Sequence, residues 1–171
     1  MEYRVIERSA QLSDQLLDEI ALVIKESWRK LYRNLDVYEE SYEQDTSFWG
    51  APMIEKELAA GNRWLLGLED GRCVAAVLLE EIQEEGERAV MLRMLGVLPD
   101  QQGKSLGTLL IERAEQIARE EGNGRLTLFT SSLLTTLVAF YKRNGFHEYR
   151  REEVERFGLR YDRVFLDKRL V

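Results

Sequence analysis

Apolar residues recur along this chain with two different periods, and the changes of period divide it into elements. Tyr3–Glu7 alternates as a first strand. From Ser13 to Arg33 the residues Leu16, Leu17, Ile20, Leu22, Val23, Ile24 and Trp28 return at helical spacing, with Ser13 or Asp14 as the cap. A looser stretch, Asn34–Gly50, mixes acidic and aromatic residues, and a short helix over Pro52–Ala60 stops at Gly61. Three strands come next: Arg63–Leu68, closed by the hairpin signal Asp70-Gly71; Cys73–Ile82, closed by the charged turn Glu84–Glu87; and Arg88–Val97. The helix Ser105–Glu120 carries Leu106, Leu109, Leu110, Ala114, Ile117 and Ala118 on one stripe and ends at Gly122. Leu126–Thr130 reads as a strand and Leu133–Asn144 as a helix stopped by Gly145, while Phe146–Tyr149 and Tyr161–Leu166 finish the sheet. No repeat, linker or low-complexity segment breaks this order, so the pattern predicts a single α+β domain over residues 1–171 around one mixed sheet.

Within that pattern, Leu95–Gly107 is the stretch richest in chemistry. It reads as a strand, a tight turn and a loop of small residues opening an amphipathic helix. Gly103, Ser105 and Gly107 let the backbone approach a ligand without side chains in the way. The first amides of a helix have no intrahelical partner, and the helix dipole favours negative charge there. The loop is therefore a candidate phosphate or pyrophosphate site, with Lys104 as a mobile counter-charge and a ligand-free structural turn as the plainer alternative. Its spacing matches neither G-x-x-x-x-G-K-[ST] nor G-x-G-x-x-G, which excludes a P-loop and a dinucleotide fingerprint.

The run Leu95-x-Val97-x-Pro99-x-x-Gln102-Gly103-Lys104-x-x-Gly107, with its following helix, resembles the acetyl-CoA motif of the GNAT family of N-acetyltransferases. Ser105 stands where that family usually has glycine. A second segment, Phe140-Tyr141-Lys142-Arg143-Asn144-Gly145-Phe146, resembles the family's aromatic-Tyr-x-x-x-Gly-Phe signature, at the expected separation from the first and with one strand between. The resemblance covers roughly residues 91–146. It implies a single GNAT-like domain with a mixed, mostly antiparallel central sheet flanked by helices on both faces. It also implies acetyl-CoA as co-substrate and transfer of an acetyl group to a primary amine by direct attack in a ternary complex. A small-molecule acceptor is the first reading; a protein N-terminus or lysine, or an acyl-CoA-binding regulatory module without turnover, are the alternatives. Many relatives dimerise, so a homodimer through the final strands is an open possibility.

Acetyl transfer from a thioester to an amine requires that the donor be held, its carbonyl polarised, the amine deprotonated and the departing thiolate protonated. Holding is implied for Gln102, Gly103, Lys104, Ser105, Leu106 and Gly107. The backbone of Leu95, Gly96 and Val97 is implied to pair with the pantetheine arm, and an amide near Leu95 to polarise the carbonyl. Independently of the family, a glycine inside a strand marks a bulge or a close backbone approach. Tyr141 matches the family's usual general acid, and a phenol near pKa 10 lies close to an alkyl thiol; a packing tyrosine is the plainer reading. The Asn that relatives often carry seven residues earlier is Leu134 here, with Thr135 and Thr136 beside it. Relatives often place a carboxylate on the donor strand, but Met91–Met94 supplies none. Glu80 or Glu81 is then the nearest candidate base, against solvated strand-end glutamates or a base acting through water.

Composition narrows the partners. The formal charge is −7, from 24 basic and 31 acidic side chains, and no basic cluster suits nucleic acid. A negative field favours a cationic acceptor, which Glu40, Glu43 and Asp45 would hold if they are not simply solvated. No apolar run is long enough to cross a membrane, and the N-terminus lacks a secretory pattern, so a cytoplasmic protein is expected. Cys73, the one cysteine, reads as a buried inert thiol. His147, the one histidine, cannot form a His-rich metal site, and no metal is expected. Trp28, Trp49 and Trp64 read as core, with Trp49 alternatively lining an acceptor pocket.

Overall fold

The computed structural model describes residues 1–33, 49–156 and 158–170 of the chain. Seven strands follow the order β1-β2-β3-β4-β5-β7-β6. Pairing of β4 with β5 is parallel, and β1–β2, β2–β3, β5–β7 and β6–β7 are antiparallel. With four α-helices among the described residues, this is the mixed, mostly antiparallel α+β architecture read from the sequence. No described helix is long and apolar enough to cross a membrane. The chain divides into two compact units: Met1–Glu80 with Met94–Ala114, and Glu81–Arg93 with Glu115–Val171.

The first unit holds β1 (Glu2–Ile6), α1 (Asp14–Arg33), α2 (Ala51–Ala59) and β2 (Arg63–Glu69). It also holds most of β3 (Arg72–Glu84), the end of β4 (Glu87–Val97) and the start of α3 (Leu106–Glu120). Helix α1 starts where its cap predicts: the Leu16 amide donates to Ser13 Oγ at 3.1 Å, a contact worth about 1 kcal/mol. In the turn between β2 and β3, Asp70 and Gly71 have φ of +50° and +78°, the two positive values a two-residue hairpin needs. Strands β2 and β3 are apolar on both faces, with Trp64, Leu65, Leu66 and Ala75 through Leu78 fully buried. That is why their sequences run continuously rather than alternate. Around them pack Ile6, Ile20, Ile24 and Ile54, with the rings of Trp49 and Trp64, both of which belong to the core. Cys73 is buried there too, its thiol pushed up to about 12 by loss of solvent and by the field of Glu19. An inert thiol is what that environment produces.

The second unit holds the start of β4, the rest of α3, β5 (Arg125–Ser131), α4 (Thr135–Arg143), β6 (His147–Arg156) and β7 (Leu159–Arg169). Its interior is partly ionic. Arg125, 1% exposed, donates to Glu84 at 2.7 Å and Asp167 at 3.0 Å, with Glu87 at 3.8 Å. The Tyr149 hydroxyl donates to Glu84 at 3.0 Å and lies 3.0 Å from Thr127 Oγ1.

Most element ends shift by one or two residues from the sequence reading, and two departures have a physical cause. Helix α4 begins at Thr135 rather than Leu133, because the Leu134 amide donates to the Ser131 carbonyl and the Leu133 amide to Ser131 Oγ. That local turn competes with the helix for these amides. The final hairpin is also much longer than Phe146–Tyr149 and Tyr161–Leu166. Its ladder extends to the pair Arg156↔Leu159. β6 is almost wholly exposed, so charged residues fill positions where an apolar alternation would otherwise betray a strand.

Candidate functional site

In the first unit, the end of β4, the turn after it and the start of α3 form one continuous backbone feature. Met94 has φ of +53°, a left-handed residue inside a strand that re-aims the chain just before Leu95. Gly96 keeps an ordinary φ. A Cβ there would meet Ser27 Cβ at 3.2 Å and the Val23 carbonyl at 3.3 Å, so the close approach foreseen at this glycine is made by helix α1. The irregular dihedral sits two residues earlier, on Met94.

After Val97 the chain makes a 3-10 turn over Pro99–Gln101 and reaches the loop. Gln102 is tied at both ends. Its amide nitrogen donates to the Val97 carbonyl at 3.1 Å, and its oxygen accepts from Lys30 Nζ at 2.6 Å. Gly103 has φ of +83°, and a Cβ at this residue would find nothing within 4 Å. Lys104 reaches Gln101 Oε1 at 2.8 Å. Ser105 adopts φ of +61°, which is the physical reason a glycine suits this position: a side chain there costs roughly 1 kcal/mol. Residues 102–105 are exposed, Leu106 is buried and Gly107 lies in the first helical turn. The first hydrogen bond closing the helix runs from the Leu109 amide to the Ser105 carbonyl at 3.0 Å. The amides of Leu106, Gly107 and Thr108 therefore precede any intrahelical partner. An exposed loop, helix-opening amides without an intrahelical partner, an open glycine and two ammonium groups fit a phosphorylated ligand in charge and in hydrogen-bond polarity.

In the second unit, Tyr141 lies on α4 and is 6% exposed. Its ring packs edge-on to Phe140 and Phe146, with centroids 5.3 and 5.8 Å away. Burial pushes its phenol well above the ordinary value, so it stays protonated at every working pH. Leu134 is the N-cap residue of α4 and contributes no side-chain cap; Thr135 and Thr136 beside it are exposed. Within this unit, β4 pairs with β5 only from Ala89↔Arg125 to Met91↔Thr127, although β5 continues to Ser131.

Of the remaining candidates, Glu80 is half-buried and Glu81 exposed, adjacent residues of β3 and hence on opposite faces. Glu81 lies 3.9 Å from Arg88. His147 is exposed at the start of β6. Glu40, Glu43 and Asp45 lie outside the described residues. Sequence reasoning missed Lys30, a polar residue on a helix predicted for its apolar stripe, and the left-handed Met94, which nothing local announces. It also missed the Arg125 centre, whose partners are spread from residue 84 to residue 167.

Comparison with known proteins agrees with this geometry. The model of the acetyltransferase (GNAT) family matches residues 23–146. No curated protein sequence is similar enough to count as a match. Among solved structures, the PaiA N-acetyltransferase from Thermoplasma acidophilum, determined with coenzyme A, superposes with a TM-score of 0.73 at 20% identity over 99% of both chains. An aminoglycoside 6′-acetyltransferase type Ii superposes with a TM-score of 0.73 at 16% identity, over 100% of this chain and 98% of that one. The NatC complex, solved with Gag peptide and CoA, gives a TM-score of 0.69 at 14% identity over 100% of both. At these identities the structures share the fold, while the family model spans most of the chain and carries the assignment. The chain belongs to the acetyltransferase (GNAT) family, enzymes that take their acetyl group from acetyl-CoA.

Proposed function

We propose that this protein transfers the acetyl group of acetyl-CoA to a primary amine of a small molecule, by direct attack of the amine in a ternary complex. The observation that carries the reading is the exposed loop 102–105 running into the open amides of α3, with Lys104 beside them. When bound, acetyl-CoA supplies an acetyl group activated as a thioester. Gln102, Gly103, Lys104, Ser105, Leu106 and Gly107 hold its phosphates, chiefly through backbone N–H groups. The backbone of Leu95, Gly96 and Val97 holds the extended arm. An amide near Leu95 polarises the carbonyl, an interaction often worth about 3 kcal/mol.

Tyr141 returns a proton to the departing thiolate. Burial lifts the phenol above the near-match with an alkyl thiol that a free tyrosine would have, so the proton is held more tightly and the rate should show no alkaline limb from this group below about pH 10. The amine loses its proton to Glu80 or Glu81, or to water. A small-molecule acceptor fits the aminoglycoside acetyltransferase among the similar folds. A homodimer through β6, the last strand in the sheet order, is the assembly reading, and light scattering tests it.

Calorimetric titration with acetyl-CoA, followed by thiol release against a panel of amines, tests the proposal. Binding together with release on one amine class is expected. Tyr141→Phe should bind acetyl-CoA unchanged while kcat falls about 100-fold or more. Release only with peptides would shift the acceptor to a protein N-terminus or lysine. Binding without release would make the protein a regulatory module, and no binding would overturn the site altogether.

A further inference from the structure

One face of the second unit carries a row of arginine and phenylalanine side chains that neither the fold nor the donor site requires. Phe129 on β5 stands opposite Phe165 on β7, and Phe165 stands opposite Arg150 on β6. Cross-strand partners share a face, so the three side chains line up across the strands. Ring centroids of Phe129 and Phe165 are 5.7 Å apart, and the Arg150 guanidinium lies 3.9 Å from the Phe165 centroid. At the other end, the Arg163 guanidinium lies 4.8 Å from the Phe129 centroid.

Two features separate this row from ordinary packing. Phe129 is 41% exposed, a large apolar ring left to solvent. Arg163 makes no ion pair among the described residues, in a unit where Arg125, Arg151 and Arg169 all have carboxylates within 3.1 Å. Glu152 stands directly across β6 from Arg163 without closing on it, and Asp162 beside it is taken by Arg151 at 3.1 Å. Arg150, by contrast, has Glu84 at 3.9 Å. A guanidinium placed over an aromatic ring and without a carboxylate partner keeps N–H donors for hydrogen bonds to an oxyanion. Ser131, its register partner on β5, adds a hydroxyl on the same face. Phe129 and Ser131 also belong to the stretch of β5 beyond its ladder with β4, which ends at Thr127.

We propose that Arg163 and Phe129 form the acceptor-recognition site, and that the amine acetylated here carries an anionic group, a carboxylate or a phosphate, on a flat apolar body. Phe129 takes the body and Arg163 the anion. The inference rests on the acetyltransferase reading and sharpens its acceptor; it runs against the cationic acceptor that net charge alone suggests, because recognition depends on the local charge at the site.

The test compares kcat/KM for 4-(aminomethyl)benzoate, its phosphonate analogue and benzylamine, which share a ring and an amine and differ in the anion. The wild type should prefer an anionic acceptor over benzylamine by about tenfold or more, and the better of the two anions identifies the group. Arg163→Gln should abolish that ratio, Arg163→Lys should keep part of it, and Glu152→Gln should raise it by removing a competing carboxylate. A wild type that treats the three amines alike, or an Arg163→Gln variant that slows all three with the ratio intact, overturns the proposal. If acetyl-CoA binds but no amine is turned over, the acetyltransferase reading fails separately. Calorimetry with 4-(aminomethyl)benzoate then decides the site: binding lost in Arg163→Gln upholds it, and no binding to the wild type refutes it.

Discussion

The two units of this chain fill their interiors by different physics. In the first, β2 and β3 bury a continuous aliphatic and aromatic surface around Trp64, Leu66 and Leu78, and its stability is an area effect. In the second, Arg125 sits among Glu84, Asp167 and Glu87, with Tyr149 and Thr127 closing the network. An apolar core degrades gradually when atoms are removed. A buried ionic centre fails when one partner is lost, because the remaining charges keep their desolvation cost. The same contrast separates the two kinds of polar site in this molecule. The Arg125 centre is closed on itself by partly buried carboxylates and holds structure, whereas loop 102–105 and Arg163 keep donors open, which is what a ligand requires.

Substitution at the two centres breaks the comparison most sharply. Arg125→Gln should cost about 3–5 kcal/mol by urea denaturation. Replacing Arg125 by Met at similar length should recover little, since Glu84 and Asp167 both lose the buried guanidinium that neutralises them. Leu66→Ala in the first unit should cost about 2–5 kcal/mol, with Leu66→Met close to wild type. If Arg125→Met matches wild type, the ionic centre contributes nothing that apolar packing cannot replace.

Alkaline pH probes each unit through its buried neutral acid. Cys73, raised to about 12 in the folded chain, ionises near its ordinary value once unfolded. Below that ordinary value its contribution is complete; above it the unfolded chain has given up a proton that the folded chain still holds, so stability falls with pH. Tyr141 is raised as well and adds a second loss beginning near pH 10. Between pH 8 and pH 10 the wild type should lose about 1–2 kcal/mol that a Cys73→Ala variant does not lose. Parallel pH profiles for the two would place the thiol in contact with solvent.

Smaller effects should appear at the loop. Ser105→Gly removes a strained left-handed side chain and should raise stability by at most about 1 kcal/mol, with acetyl-CoA affinity kept within about twofold. Lys30→Met releases Gln102. It should raise the KM for acetyl-CoA by about two- to fivefold with kcat little changed, as befits an exposed contact, and Lys30→Arg should restore it.

Legibility follows the range of the interactions. Gly103, Ser105 and the amphipathic stripe of α3 announce the loop because a helix start is built from contiguous residues. Asp70-Gly71 announces its hairpin because two positive φ values need residues that tolerate them. The β6–β7 hairpin reads shorter than it is, since Arg151, Glu152 and Glu153 disguise an exposed strand as a loop. At Gly96 the residue signals a close approach correctly in kind, but only packing reveals that α1 makes it.

What the sequence determined by itself is therefore the local backbone chemistry: the order of elements, the small-residue loop before α3, the aromatic-Tyr segment of α4 and, through these, the family. Tertiary structure alone decided which distant side chains meet. Lys30 reaches Gln102 across 72 positions, and Arg125 reaches Glu84 across 41. The Phe129–Phe165–Arg150 row needs three strands in register before it exists at all. A period in the sequence records which face an element buries, but a polar side chain acquires its partner only when folding brings another element beside it. Recognition of the acceptor depends on such partners, so it lies on the tertiary side of that division.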